Sequence, residues 1–240
     1  MLTALGLVIL GYVAGSIPTG YWLVKALKGT DVRTVGSGST GATNVLRAAG
    51  RGAAAFVLLV DALKGFLPVW LAMYWDARAA FSGLPLADWH LIPPAVAIAA
   101  IVGHSRSIFL KFQGGKSAAT GLGVIMALNP AAAAVTFLLW VALVWMTRYV
   151  SVASISVPWV CALLMYAWHS PPSYVACCLL GAAYVTYRHK SNIQRLLAGT
   201  ELRIGGKDTL PVNCQSTAAA GAPAASSADR AESSYRTEPP

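Results

Sequence analysis

Charge is what this sequence has least of. Of its 240 residues only 11% are Asp, Glu, Lys or Arg, against 56% hydrophobic, whereas a soluble domain carries about a quarter charged residues. That scarcity excludes an ordinary soluble surface, because the apolar residues run in blocks such as AAAAVTFLLWVALVWM that are apolar on every side. Cysteine is confined to Cys161, Cys177, Cys178 and Cys214, without a CxxC spacing or a matching His cluster. A metal site is thereby set aside, no cofactor is expected, and the cysteines read as small core hydrophobes. A basic n-region and an A-x-A cleavage site are missing before residue 25, so the first apolar stretch reads as a retained span. GGKS at 114–117 lacks the strand and first glycine of a nucleotide-binding P-loop, so nucleotide hydrolysis is not expected.

What is there is a succession of helix-length apolar segments. They predict an all-α integral membrane protein with about seven transmembrane helices, at roughly 2–24, 53–75, 88–103, 117–129, 131–147, 152–169 and 173–188. The fourth rises only about 18 Å and is expected to be broken, tilted or re-entrant.

Cations follow alternate spans: Lys25, Lys28, Arg33, Arg47 and Arg51; then Arg106, Lys111 and Lys116; then Arg148; then Arg188, Lys190, Arg195, Arg203 and Lys207. The opposite loops hold Arg78, offset by Asp76 and Asp88. Lys and Arg in short loops stay cytoplasmic, which puts the N-terminus outside, the C-terminus inside and the motif loops on the cytoplasmic face. The net charge of +9 therefore concentrates at one face, where it serves topology, anionic lipid or anionic substrates. Residues 1–207 form the membrane domain, and 208–240, rich in Ala, Ser and Pro, read as a disordered cytoplasmic tail.

Three polar segments meet at that face. Gly29 to Arg47, GTDVRTVGSGSTGATNVLR, reads as a glycine- and hydroxyl-rich loop in which Gly36 and Gly38 let the backbone approach an oxyanion. Ser37, Ser39, Thr40, Thr43 and Asn44 add donors there, and Arg47 suits bidentate phosphate binding. Gly103 to Thr120 places Gly114, Gly115 and Lys116 before an apolar helix, with Ser117 and Thr120 in its first turn. Helix N-termini attract anions. The third element joins Ser151 and Ser154 to His189 and Asn192, which share a helical face. Asp61 and Lys64, at i and i+3 within a span, read as a structural pair.

These segments resemble, in order, the signatures of the bacterial acyl-phosphate:glycerol-3-phosphate acyltransferases. GSIPTGYWLVKALKGTDVRTVGSGSTGATNVLR, GHSRSIFLKFQGGKSAATGLGV, YVSVASIS and HKSNIQRLLAGTE carry the likeness, which spans residues 5–205. Two positions depart from it: Ser39, where the family usually has Asn, and Ser117, where Gly is commoner.

The resemblance implies transfer of an acyl group from acyl phosphate to the 1-hydroxyl of sn-glycerol 3-phosphate at the bacterial inner membrane. Lysophosphatidic acid and phosphate are the products, and phospholipid synthesis is the setting. Acyl-CoA and acyl carrier protein are not implied as donors. In agreement, none of His90, His104, His169 or His189 begins an H-x4-D pattern. On this reading Arg47 and Lys116 are the principal phosphate ligands. Ser37, Thr43, Asn44 and Ser154 orient substrates, and His189 with Asn192 completes the acceptor pocket. Membrane lipids are partners, nucleic acid is not, and an enzyme that produces acyl phosphate is implied by pathway analogy. Oligomeric state is not encoded in these patterns. A transporter for phosphorylated solutes is the competing reading, opposed by the lack of an internal repeat and by polar groups gathered at one face. A scaffold for lipid enzymes ranks below both.

Overall fold

The computed structural model describes residues 2–81 and 90–205. Asp88, Lys207, Cys214 and the tail expected over 208–240 lie outside the described residues.

Proline and glycine set the first elements. Helix α1, Leu2–Ser16, and helix α2, Thr19–Lys28, replace the single helix expected over 2–24. Pro18 has no N–H and its ring prevents helical continuation. The Ile17 carbonyl freed by that break accepts instead from Lys64 Nζ at 2.7 Å. Helix α2 ends at Gly29, whose left-handed φ of 67° closes the last turn onto the Lys25 carbonyl.

Helix α3 runs from Ala42 to Phe81, with a non-helical Gly50 at φ 86°. It begins well before residue 53, which corrects the expectation of a loop reaching Arg47: Thr43, Asn44 and Arg47 sit on helix. Then follow α4 (Ile92–Ser105), α5 (Ala118–Leu128), α6 (Pro130–Thr147), α7 (Val150–Ala167), α8 (Pro172–Arg188) and α9 (Lys190–Leu197). Asn129 separates α5 from α6 and caps the latter, its Oδ1 accepting from Ala132 N at 3.0 Å.

Each expected apolar interval thus carries helix, and no strand occurs among the described residues. Among the described residues, four segments have the length and apolarity to cross a bilayer: Leu2–Lys28, Ala42–Arg78, Pro130–Thr147 and Val150–Ala167. Helix α5, with 11 residues, rises roughly 16 Å. It packs closely against α3: Gly65 of α3 backs onto the Thr120 carbonyl, and Gly123 of α5 onto the Ala62 carbonyl, with no room for a Cβ at either position. Small residues permit such approach where lipid supplies no hydrophobic drive between helices.

The core is correspondingly small-chained, with Val69, Ala72, Val96, Ala97 and Ala132 at 0% exposure. Large apolar side chains turn outward, Trp145 at 81% and Leu138 at 67%, as a lipid-facing surface requires.

Candidate active site

The site is built where the polar ends of α3, α5, α7, α8 and α9 converge around a cavity of about 380 Å³. Its polar lining includes Lys116, Asn192, Glu201 and Arg195, bonded in series, with Arg47 and His189, and its apolar lining includes Ile125, Val157 and Cys161. One cavity therefore offers both cationic and hydrocarbon lining.

Asn44 organises the first segment. Its Oδ1 accepts from Ser37 N at 2.9 Å, and its Nδ2 faces the carbonyls of Val32, Val35 and Ser39 at 2.8, 2.9 and 2.9 Å. At 1% exposure this amide has its hydrogen-bonding capacity filled by the loop, and the expected donation to a ligand is replaced by shaping the turn. Gly36 and Gly38 adopt φ 55° and 68°, and a Cβ on Gly36 would press on Asn44 Oδ1 at 2.5 Å. Ser39, in place of the family's Asn, accepts locally from Gly41 N at 3.3 Å. Ser37, Thr43 and Arg47 line the cavity. Arg47 is buried, and its Nε has no hydrogen-bond partner among the described residues.

In the second segment, Lys116 Nζ donates to Asn192 Oδ1 at 2.5 Å. Burial pushes this amine down to about 8, with the cations Arg195, Arg47 and Arg188 adding to the shift and Glu201 opposing it. Ala118 and Ala119, in the first turn of α5, also line the cavity, so the free N–H groups and positive dipole end of α5 face it. Ser117 and Thr120 do otherwise than expected. Ser117 takes φ 62°, which explains why a glycine suits that position, and its Oγ donates to the Ile101 carbonyl at 2.7 Å. Thr120 Oγ1 lies 3.1 Å from His104 Nδ1. Gly114 and Gly115 pack against His104, and the Gly115 N–H donates to the His104 carbonyl at 3.2 Å; that donor is not free for an anion.

In the third segment, Ser154 Oγ accepts from Trp140 Nε1 at 3.1 Å. His189 Nδ1 donates to the Val185 carbonyl at 2.8 Å, which makes Nε2 the acceptor nitrogen. Burial lowers this imidazole to about 4, the Val185 bond opposing and Lys116 adding, so it is neutral at pH 7. Asn192 Nδ2 donates to Glu201 Oε1 at 2.6 Å, and Arg195 Nε to Glu201 Oε2 at 2.7 Å. Burial works to raise the Glu201 carboxyl, but Asn192, Ser151 and Arg195 outweigh it and hold it below its usual range.

Glu201, Arg188 and His104 are the residues that sequence reasoning passed over. Glu201 had a signal: it is the lone acid between His189 and Lys207. Asp61 and Lys64 form the expected pair, at 2.6 Å.

Fold and cavity define the class: a helical integral membrane protein holding a cationic polar cluster against an apolar chamber. The glycerol-3-phosphate acyltransferase family model matches residues 5–199. A glycerol-3-phosphate acyltransferase of Rippkaea orientalis is 48% identical, with 85% of this chain and 94% of the relative covered. One from Nostoc sp. is 46% identical, with 83% and 91% covered. Among solved structures, PlsY (YgiH), an integral membrane glycerol 3-phosphate acyltransferase in its glycerol 3-phosphate form, superposes with a TM-score of 0.77 at 38% identity, over 85% of this chain and 96% of that one. Its lysophosphatidic acid form gives 0.74 at 36% identity, over 86% and 98%. The chain belongs to the glycerol-3-phosphate acyltransferase family.

Proposed function

We propose that this chain transfers an acyl group from acyl phosphate to the 1-hydroxyl of sn-glycerol 3-phosphate, yielding lysophosphatidic acid and inorganic phosphate. The observation that carries this reading is one cavity lined both by the cations Arg47 and Lys116 and by apolar side chains such as Ile125 and Val157. An acyl phosphate has that polarity, and each CH2 kept from water contributes about 0.8 kcal/mol. The solved relatives bear the names of the acceptor and of the product.

Acyl phosphate is a mixed anhydride with a good leaving group, so positioning and charge neutralisation carry the reaction. Arg47, Lys116 and the α5 N-terminus hold phosphate oxygens, Ser37, Thr43 and Ser154 orient the reactants, and His189 with Asn192 lines the acceptor pocket. Gly36, Gly38, Ser39, Asn44, Gly114 and Gly115 act through loop shape. The acceptor oxygen bonds to the acyl carbon, the bond from that carbon to the phosphate oxygen breaks, and inorganic phosphate departs. The hydroxyl proton passes to a substrate phosphate oxygen. His189, lowered to about 4, and Glu201, held below the usual range by its donors, are both weak bases.

The cations at the ends of α2, α4, α6 and α8 support a bacterial inner-membrane reading with these ends in the cytoplasm. Helices α1, α3, α4, α5, α6, α7 and α8 then cross, N-terminus outside, and α2 and α9 lie at the interface. Residues 1–207 are the enzymatic unit, with acyl phosphate supplied by a separate enzyme.

The test is release of phosphate and lysophosphatidic acid by purified protein from palmitoyl phosphate and glycerol 3-phosphate, with palmitoyl-CoA as a parallel donor. Product from the acyl phosphate alone, abolished by Lys116→Ala, is expected. Product only from the thioester, or glycerol 3-phosphate uptake into liposomes without chemistry, overturns the reading.

A further inference from the structure

The Gly114–Gly115 turn is enclosed on two sides. Beneath it lies the end of α4: a Cβ on Gly115 would collide with His104 Nε2, and one on Gly114 with the His104 carbonyl oxygen and, at 3.0 Å, with the Ser105 carbonyl carbon. Above it Arg188 Nη2 donates to the Gly115 carbonyl at 3.2 Å. His104 is buried and fixed from behind, its Nδ1 lying 3.1 Å from Thr120 Oγ1 and 3.9 Å from Asp61 Oδ1. Asp61 is in turn held by Lys64, and Lys64 by the Ile17 carbonyl at the Pro18 break. The acyl transfer proposed above assigns no role to His104, Asp61 or Lys64, yet such groups are expensive inside a membrane protein and mark function when retained there.

We propose that His104 is a positioning residue for Lys116: its ring and carbonyl form the seat of the glycine pair that precedes the lysine, and the Asp61–Lys64 pair anchors that seat to α3. The position of Lys116 Nζ opposite Asn192 is therefore set by packing between α3 and α4 as well as by its own loop. Gly115 is required because an imidazole fills the space a side chain would need, and Gly114 because the His104 and Ser105 backbone does. A glycine pair serving backbone approach to phosphate would owe nothing to His104, and this difference makes the inference testable. It rests on the proposed role of Lys116 as a phosphate ligand.

The experiment is a double-mutant cycle on the full chain in detergent, with Gly115→Ala, His104→Ala and the two combined. It reads kcat and KM for glycerol 3-phosphate together with the thermal midpoint. Gly115→Ala displaces the Lys116 turn and lowers kcat/KM on the order of 10²-fold, the penalty of a misplacement of about 1 Å. In the combined variant the added methyl enters the space left by the imidazole, and kcat/KM and the midpoint both rise above those of Gly115→Ala. The alkaline limb of kcat/KM from Lys116 moves in His104→Ala, which simple loss of stability would not cause. Additive losses in the combined variant, or an unmoved alkaline limb, overturn the proposal. If the wild-type protein fails to use acyl phosphate, the proposed reaction is what has failed. The thermal midpoints then judge the seat by the same rule, coupling supporting it and additivity overturning it.

Discussion

Lys116 Nζ donates to Asn192 Oδ1 at 2.5 Å, joining the turn before α5 to the first turn of α9 across 76 residues of sequence. Asn192 in turn donates to Glu201, so the amide is fixed with its oxygen toward the lysine. The amine has a fixed partner while the low polarity around it favours loss of its proton.

Lys116 is therefore expected to impose an alkaline limit on catalysis. Its amine is lowered to about 8, so the charge is present below that pH and lost above it. kcat/KM for glycerol 3-phosphate should fall as pH rises through about 8, and phosphate bound at the site should raise the limit. Lys116→Arg keeps its charge but not the geometry of the amine. It is expected to be roughly 10²-fold less active, with this limb gone; a pH–rate profile decides the matter, and an unaltered limb would remove Lys116 from the phosphate site.

Proton removal by a substrate phosphate predicts an acidic limb near pH ~6, the usual second ionisation of a phosphate monoester. His189, lowered to about 4, is already neutral throughout the working range and contributes none of it. His189→Asn should lose rate through poorer placement of the acceptor while keeping the same acidic limb. Disappearance of that limb in the variant would make His189 the base.

Asn44 and Ser37 should separate structure from chemistry. Removing the buried Asn44 amide strands the Ser37 N–H and the Ser39 carbonyl, while the Val32 and Val35 carbonyls keep the Val35 and Gly38 N–H donors. Unsatisfied buried groups cost about 1–3 kcal/mol each. Asn44→Ala is expected to lower the thermal midpoint and activity together, whereas Ser37→Ala lowers activity at an unchanged midpoint. Thermal scans in detergent beside initial rates test both; a stable but inactive Asn44→Ala would make Asn44 a direct ligand.

The Asp61–Lys64 pair has side chains 2% and 6% exposed. Lys64→Met alone leaves a buried carboxylate without its counter-charge and should destabilise by about 3–5 kcal/mol, while Asp61→Leu combined with Lys64→Met should restore most of that. Equal midpoints for the single and combined variants would show that the carboxylate finds another partner.

The glycine-rich segment shows where sequence reading succeeds and where it stops. Arg47 and Lys116 were legible as cations beside glycines and ahead of an apolar helix, and both line the cavity. Asn44 was legible as important but not as to its partners: an amide next to hydroxyls looks like a ligand until its four backbone neighbours are seen. Gly115 misled in the same way, since a missing side chain does not reveal whether an anion or an imidazole needs the space. Glu201 and Arg188 went unread because a carboxylate bridging two side chains and an arginine binding a loop carbonyl leave no periodic mark.

By itself the sequence determined that this chain is helical and embedded in a membrane, which apolar intervals carry helix, and that its cations gather with its glycines and hydroxyls. Those properties follow from local apolar length and from the need of backbone groups to be satisfied within each helix. The tertiary structure alone decided that α1 and α2 part at Pro18 to give Lys64 a carbonyl, that His104 lies under Gly115, and that Lys116, Asn192, Arg195 and Glu201 form one chain of contacts. Such pairings depend on close packing between segments distant in sequence, and packing distances are fixed only when all the helices are in place.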